Sequence, residues 1–217
     1  MTGVILAGGK SRGKSSTDQS MLTFFGERLV ERQIREMKKC CSEIILVTDE
    51  PRAFLPILGN SVRVITDYVP ANGPLTGMYA AMSLSTYTNL WIVACNMPFI
   101  SAEAATVLWR RKRETTAEAV FPVFGGSAHP LHGLYEKRSK DVLTDLLQQG
   151  KTQIGDLLRA LSWEGADESC FQGQDQDGTF VRRLQGIEDY KRALALIDQT
   201  ERPRSGVKSE DVDPIEK

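Results

Sequence analysis

The chain has 217 residues, and 27 lysines and arginines are balanced by 28 aspartates and glutamates to a formal net charge of −1. There is no basic excess of the kind that nucleic-acid binding requires, and no apolar run reaches the roughly 20 residues of a membrane-spanning helix. We therefore expect a globular cytoplasmic protein that binds neither nucleic acid nor membrane. Its four cysteines form no Cys-x-x-Cys pair, so we expect reduced, structural thiols.

Apolar runs alternate with longer amphipathic segments along most of the chain. Strands are predicted at 3–7, 43–48, 62–67, 89–95 and 117–124, with an edge strand at 179–184. Helices are predicted at 26–39, 74–85, 101–114, 140–151, 153–161 and 186–199. This alternation is typical of a three-layer α/β/α, Rossmann-like fold, in which a mostly parallel sheet carries helices on both faces. We expect a single domain at 1–199 and a flexible tail at 200–217.

The residues that follow the predicted strands form the candidate site, because open α/β sheets bind ligands beyond the carboxyl ends of their strands. The first strand runs through Leu6 and Ala7 into the pair Gly8–Gly9, and glycines let a phosphate approach main-chain N–H groups closely. Three cations follow within five residues: Lys10, Arg12 and Lys14. Such a loop suits a triphosphate, although a Gly pair after a strand also occurs in ordinary solvated turns.

Two later segments point to the same edge of the sheet. The stretch 73–77, with Gly73, Pro74, Leu75 and Gly77, opens a helix whose N-terminal N–H groups favour an anion. The fourth strand ends in Cys-Asn-Met-Pro, which places Asn96 at the cleft. Asp67 stands at the end of the third strand, and we interpret it either as lining the site or as a strand-end turn residue.

In this order, the motifs resemble those of the molybdenum cofactor guanylyltransferases (MobA-type) within the nucleotidyltransferase-like superfamily. The resemblance rests on Leu-Ala-Gly-Gly at 6–9, Gly-Pro-Leu-x-Gly at 73–77, Cys-x-x-Pro at 95–98 and the pair at 129–130, and it covers roughly residues 1–198. It implies transfer of GMP from GTP to the phosphate of molybdopterin, with Mg²⁺ as cofactor and pyrophosphate as the product released. Other proteins of molybdenum cofactor biosynthesis or molybdoenzyme maturation are implied as partners.

The resemblance also implies roles for particular residues. The catalytic set is Lys10, Arg12, Lys14 and Gln19. The nucleotide-binding set is Leu6, Ala7, Gly8, Gly9, Gln19, Asp67, Gly73, Pro74, Leu75, Gly77 and Asn96. Asn96 stands at the metal position, and His129 and Pro130 are implied on the acceptor side.

Three positions depart from the family pattern. Gly13-Lys14-Ser15 replaces Arg-Met-Gly, Gln19 stands where the family keeps a loop lysine, and Asn96 stands where it keeps a metal-binding aspartate. Because Mg²⁺ is usually held by carboxylates together with substrate phosphates, these changes leave two other functions open. One is a nucleotide- or pterin-binding relative that has lost catalysis and acts as an adaptor or sensor. The other is a nucleotidyltransferase for a different phosphorylated acceptor.

Overall fold

The computed structural model describes residues 1–201 apart from 9, 12–13, 67–72 and 172, without the side chains of 10–11, 14–17, 174 and 199–201. The chain forms two compact units, of which the first is Met1–Gln185 and the second begins at Gly186. The first unit contains the whole sheet and all of the site described below. The single domain predicted at 1–199 stays a prediction, and residues 202–217 of the predicted tail lie outside the described residues.

The elements largely follow the predicted alternation. The strands are β1 Thr2–Leu6, β2 Lys10–Ser11, β3 Lys14–Ser15, β4 Thr23–Phe24, β5 Glu27–Arg28, β6 Glu43–Val47, β7 Arg63–Ile65, β8 Asn89–Ala94, β9 Ala119–Phe124, β10 Ser127–Ala128, β11 His132–Glu136 and β12 Trp163–Ala166. The α-helices are α1 Ser16–Ser20, α2 Leu29–Met37, α3 Pro51–Leu58, α4 Pro74–Leu84, α5 Ala102–Arg113, α6 Lys140–Gln148, α7 Ile154–Ala160 and α8 Ile187–Glu201.

The main sheet has the order β10-β9-β11-β8-β1-β6-β7, and β12 pairs with β9. Strands β8, β1, β6 and β7 are mutually parallel, whereas β11 runs antiparallel to both β8 and β9. The chain moves outward from β1 through β6 to β7 and then returns to β8 on the other side of β1. This reversal makes the gap between β1 and β8 the topological switch point, where ligands bind in open α/β sheets.

Both faces of the sheet are buried, which confirms the predicted three-layer arrangement. Alternate strand residues serve opposite cores, because side chains along a strand point to opposite faces. Ile5 and Trp91 pack with α2, α3 and α5 on one face, whereas Val4 and Ile92 pack with α4, α6 and α7 on the other. Near-continuous apolar strands are therefore needed in β1 and β8, as the sequence indicated.

One predicted strand is wrong. Residues 179–184 form a 3-10 turn at Thr179–Val181 and then an extended stretch whose Leu184 N–H donates to the carbonyl of Asn96, which lies in a turn and not in a strand. The segment therefore lines the end of β8 and adds no strand to the sheet. Among the described residues, no helix is both long enough and apolar enough to cross a membrane.

Candidate functional site

The carboxyl ends of the parallel strands meet in register at one edge of the sheet. Leu6 lies opposite Val47 on one side and Ala94 on the other. Backbone bonds continue past the strands: the Ala7 N–H donates to the Val47 carbonyl at 2.8 Å, and the Cys95 N–H donates to the Leu6 carbonyl at 3.1 Å. The loop after β1 and the turn after β8 therefore lie side by side, as predicted.

The loop after β1 is partly described. Gly8 is exposed, and among the described residues a Cβ atom there would meet no atom closer than 3.8 Å. The backbone of Lys10 pairs with that of Ser15 in the hairpin of β2 and β3. The side chains of Lys10 and Lys14, together with Gly9 and Arg12, lie outside the described residues, so their predicted roles stay predictions.

The short helix α1 follows this hairpin and carries the residue predicted at the loop-lysine position. The Gln19 side chain is buried, with 7% of its surface exposed, and the Gln19 carbonyl accepts from the N–H of Leu22 at 3.3 Å. Asp18, one residue earlier, is exposed. Gln19 thus faces the protein interior, and its contact with a phosphate stays a prediction.

Helix α4 begins over the ends of β1 and β6. Gly73 precedes it with φ at +151°, a conformation that side-chain-bearing residues rarely adopt, and Pro74 takes the first helical position. A Cβ at Gly77 would lie 3.3 Å from Leu6 Cδ2 and 3.5 Å from Val47 Cγ1, so this glycine sits against the sheet. The first turn of α4 therefore reaches the ligand edge, where its N–H groups favour an anion. Asp67 lies outside the described residues.

Side chains of helix α2 fix the turn after β8 by hydrogen bonds to its backbone carbonyls. Gln33 is fully buried, and its Nε2 donates to the carbonyls of Ala94 and Met97, each at 2.9 Å. Arg32 Nε donates to the Pro98 carbonyl at 3.0 Å. These hydrogen bonds were not predicted from the sequence. The signal for them is that Gln33 stands four residues after Leu29 in an apolar helical stripe, where a polar residue indicates a buried hydrogen bond.

Asn96 uses both ends of its amide within the protein. The side chain is buried, with 4% exposed; its Nδ2 donates to the Leu184 carbonyl at 2.8 Å, and its Oδ1 accepts from Arg183 Nε at 3.3 Å. An oxygen that faces a guanidinium is a poor ligand for a cation. The described residues also contain no group of three or more His, Cys, Asp or Glu side chains that could hold a metal ion. These residues therefore do not fit a metal at Asn96.

The pair at 129–130 reaches the same edge from the antiparallel side. The His129 N–H donates to the Pro122 carbonyl at 2.9 Å, and the buried Pro130 accepts from the Tyr135 hydroxyl at 2.8 Å through its carbonyl. Burial lowers the pKa of His129, and the charge of Arg183 lowers it further, although a bond to the Phe124 carbonyl opposes both. His129 thus lies within electrostatic reach of Arg183, which the sequence prediction did not include.

Residues 3–165 match the family described as the MobA-like NTP transferase domain. A probable molybdenum cofactor guanylyltransferase of Natranaerobius thermophilus is 28% identical over 204 residues, which are 93% of this chain and 98% of the relative. A relative of the same name from Clostridium perfringens is 30% identical over 64% of this chain and 67% of its own length. The crystal structure of molybdopterin-guanine dinucleotide biosynthesis protein A from Archaeoglobus fulgidus matches with a TM-score of 0.77 and 21% identity, over 92% of this chain and all of that one.

Proposed function

We propose that this chain, which belongs to the MobA-like NTP transferase domain family, transfers GMP from GTP to the phosphate of molybdopterin and releases pyrophosphate. The observation that carries this proposal is the convergence of three segments at the switch point: the loop after β1, the first turn of α4 and the turn after β8. Such an edge suits a nucleotide. The names of the relatives support guanine as the base and molybdopterin as the acceptor.

We assign the work of the site to positioning and to neutralisation of charge, because phosphoryl transfer needs little covalent chemistry from the protein. Leu6, Ala7, Gly8 and Gly9 would present main-chain N–H groups to the phosphates, and the segment 73–77 would add the N-terminus of α4. Lys10, Arg12 and Lys14 would neutralise the triphosphate, with Gln19 beneath the loop. Asp67 would line the nucleotide, and His129 with Pro130 would line the acceptor.

Magnesium is proposed as the cofactor that accompanies GTP. It would neutralise charge on the phosphates when bound. The amide of Asn96 does not fit it, since both polar ends of that side chain are used by Leu184 and Arg183. Asp67 stands at the end of the third predicted strand, and we propose its carboxylate as the candidate ligand. A cytoplasmic location, and partners among the proteins of molybdenum cofactor biosynthesis or molybdoenzyme maturation, belong to the same proposal.

A second candidate function is a nucleotide- or pterin-binding relative without turnover, which would act as an adaptor or sensor. The arrangement at Asn96 favours it, because an amide bonded to a guanidinium replaces the carboxylate expected at a metal site. Transfer to a different phosphorylated acceptor is the third alternative, and it would keep the nucleotide half of the site unchanged.

The test measures pyrophosphate release by the purified protein with GTP, molybdopterin and Mg²⁺, and compares ATP, CTP and UTP in place of GTP. We expect release that depends on both GTP and molybdopterin. Tight, selective GTP binding without pyrophosphate release would support the binding relative. Release of pyrophosphate with a different phosphorylated acceptor, and none with molybdopterin, would support the third alternative.

A further inference from the structure

Arg183 is fixed at the ligand edge by three hydrogen bonds that involve Asn96. Its Nε donates to Asn96 Oδ1 at 3.3 Å. The next residue, Leu184, donates its N–H to the Asn96 carbonyl and accepts from Asn96 Nδ2, both at 2.8 Å. The extended stretch after the Thr179–Val181 turn is therefore tied to the turn after β8, and the Arg183 side chain starts from a defined position.

The positive charge of Arg183 is not neutralised by the described part of the protein. In the ranges that the structure covers, its guanidinium forms no ion pair with a carboxylate, and its one side-chain hydrogen bond goes to the uncharged amide of Asn96. The residue is exposed despite its bond to the buried Asn96. The Asn96 amide orients the guanidinium of Arg183 by accepting from one of its N–H groups. The positive charge and the other N–H groups of Arg183 are left to interact with another molecule or side chain.

The neighbours of Arg183 identify the side of the site that it serves. His129 is close enough for the charge of Arg183 to lower its pKa, and it lies before β11, on the side of β8 away from β1. The loop after β1 and the first turn of α4 lie on the other side. Arg183 thus lies within electrostatic reach of His129, which is one of the proposed acceptor residues.

We propose that Arg183 binds the phosphate of the acceptor substrate and that Asn96 is its positioning residue. This inference rests on the proposed function, since it assigns a residue to the acceptor half of the same site. A guanidinium presents a planar fork of N–H donors that matches the oxygens of a phosphate, which a lysine does not reproduce. The uncharged Asn96 is then an advantage, because a carboxylate there would pair with Arg183 and compete with the phosphate.

The experiment compares Arg183→Gln with Arg182→Gln, which removes the neighbouring exposed arginine and serves as the control. Because one charge-assisted contact is lost, we expect Arg183→Gln to raise the KM for molybdopterin by about 10- to 100-fold. The KM for GTP should stay within about twofold, and Arg182→Gln should change neither. An unchanged molybdopterin KM would overturn the proposal. A raised KM for GTP alone would overturn it too, and would place Arg183 on the nucleotide phosphates.

Binding measurements separate this inference from the proposed function. If the wild-type protein releases no pyrophosphate, the proposed enzyme fails, and the dissociation constant for molybdopterin, followed by pterin fluorescence, replaces the KM. The same 10- to 100-fold increase for Arg183→Gln would still support the assignment, and equal affinity in both proteins would refute it.

The positioning role of Asn96 is tested with Asn96→Asp, alone and combined with Arg183→Gln. We expect Asn96→Asp to weaken molybdopterin binding while Arg183 is present and to add little once Arg183 is removed, because the carboxylate acts by occupying the guanidinium. If Asn96→Asp weakened molybdopterin binding by the same factor with Arg183 present and with Arg183→Gln, the positioning role would be contradicted. Tighter Mg²⁺-dependent GTP binding by Asn96→Asp, with unchanged molybdopterin affinity, would also contradict the positioning role. It would indicate instead that position 96 lies at a metal site.

Discussion

Gly73 and Gly77 belong to one motif, but replacement by alanine should destabilise the protein strongly at Gly73 and little at Gly77. In Gly73→Ala, the new Cβ would stand 2.4 Å from the Thr152 carbonyl oxygen and 2.8 Å from Thr152 Cβ. These atoms belong to the backbone and to the base of a side chain, so a rotamer change does not relieve the contact. The φ of +151° adds backbone strain for any residue with a Cβ.

The expected loss is the sum of two costs. Holding alanine in this backbone conformation costs about 1–3 kcal/mol, and separating α4 from the segment that contains Thr152 costs about another 1–3 kcal/mol. We therefore expect Gly73→Ala to lower the free energy of unfolding by about 2–6 kcal/mol. Because Gly73 also sets the start of α4, nucleotide binding should weaken at temperatures where the variant is still folded.

Gly77→Ala is the matched control within the same helix. Its Cβ would meet the flexible end of Leu6 at 3.3 Å, and a helix-interior alanine is favoured over glycine by about 1 kcal/mol. We expect its unfolding free energy to lie within about 1 kcal/mol of the wild-type value. The assay is urea unfolding followed by circular dichroism. A Gly73→Ala variant as stable as the wild type, or one more stable than Gly77→Ala, would refute the reasoning.

Three further predictions concern polar side chains that lie within the fold. Burial holds the pKa of His132 at about 3, below its unfolded value of about 6.5, so the unfolded chain takes up the proton first and stability falls with decreasing pH between these values. The free energy of unfolding should fall by up to about 1.4 kcal/mol per pH unit in this range. His132→Phe should lack this fall when urea unfolding is compared at pH 7 and pH 5. An equal loss of stability in the wild type and the variant between these two pH values would contradict the prediction. Ser101→Ala removes the cap of α5 and the hydrogen-bond partner of Asp175, and it should lower the stability measured by thermal unfolding by about 1–2 kcal/mol. The control Thr106→Val, in the same helix, should lower stability less. Equal losses in the two variants would refute the capping role. Gln33→Leu leaves the carbonyls of Ala94 and Met97 without the Gln33 donor and should lower the free energy of unfolding by about 1–3 kcal/mol. Amide hydrogen exchange in the turn at 95–98 should become faster. Unchanged exchange would argue against a role of Gln33 in holding this turn.

The parallel half of the fold was predictable because its signals are local. Apolar runs fixed the positions of β1, β6 and β8, and their order along the chain placed Gly8 and Asn96 at one edge. The helix predicted from residue 101 begins with a serine, and the Ser101 side chain caps α5 by accepting from the Ala104 N–H at 3.0 Å. These features depend on residues close together in sequence, where periodicity and turn chemistry operate.

The features that the sequence did not predict depend on distant contacts. The bond from Arg183 to Asn96 joins residues 87 positions apart, and nothing in the polar segment around 183 marks one arginine above its neighbour. Strand β11 was not predicted because its glycine and its buried histidine obscure the strand pattern. Helix α3 carries a proline at position 56, which sequence rules place outside helices.

Because β11 runs antiparallel to β8, the site has two parts whose connecting loops can change in length independently. On the parallel side, the connections after β6 and β8 lead into helices α3 and α5, which must return across the sheet, so an insertion there shifts a packed element. On the antiparallel side, the edge is formed by the short connection from β10 to β11, which carries no helix. Inserting or deleting residues at 129–131 would therefore reshape the proposed acceptor half while the proposed nucleotide half keeps its register, which makes this connection the place to engineer a different acceptor.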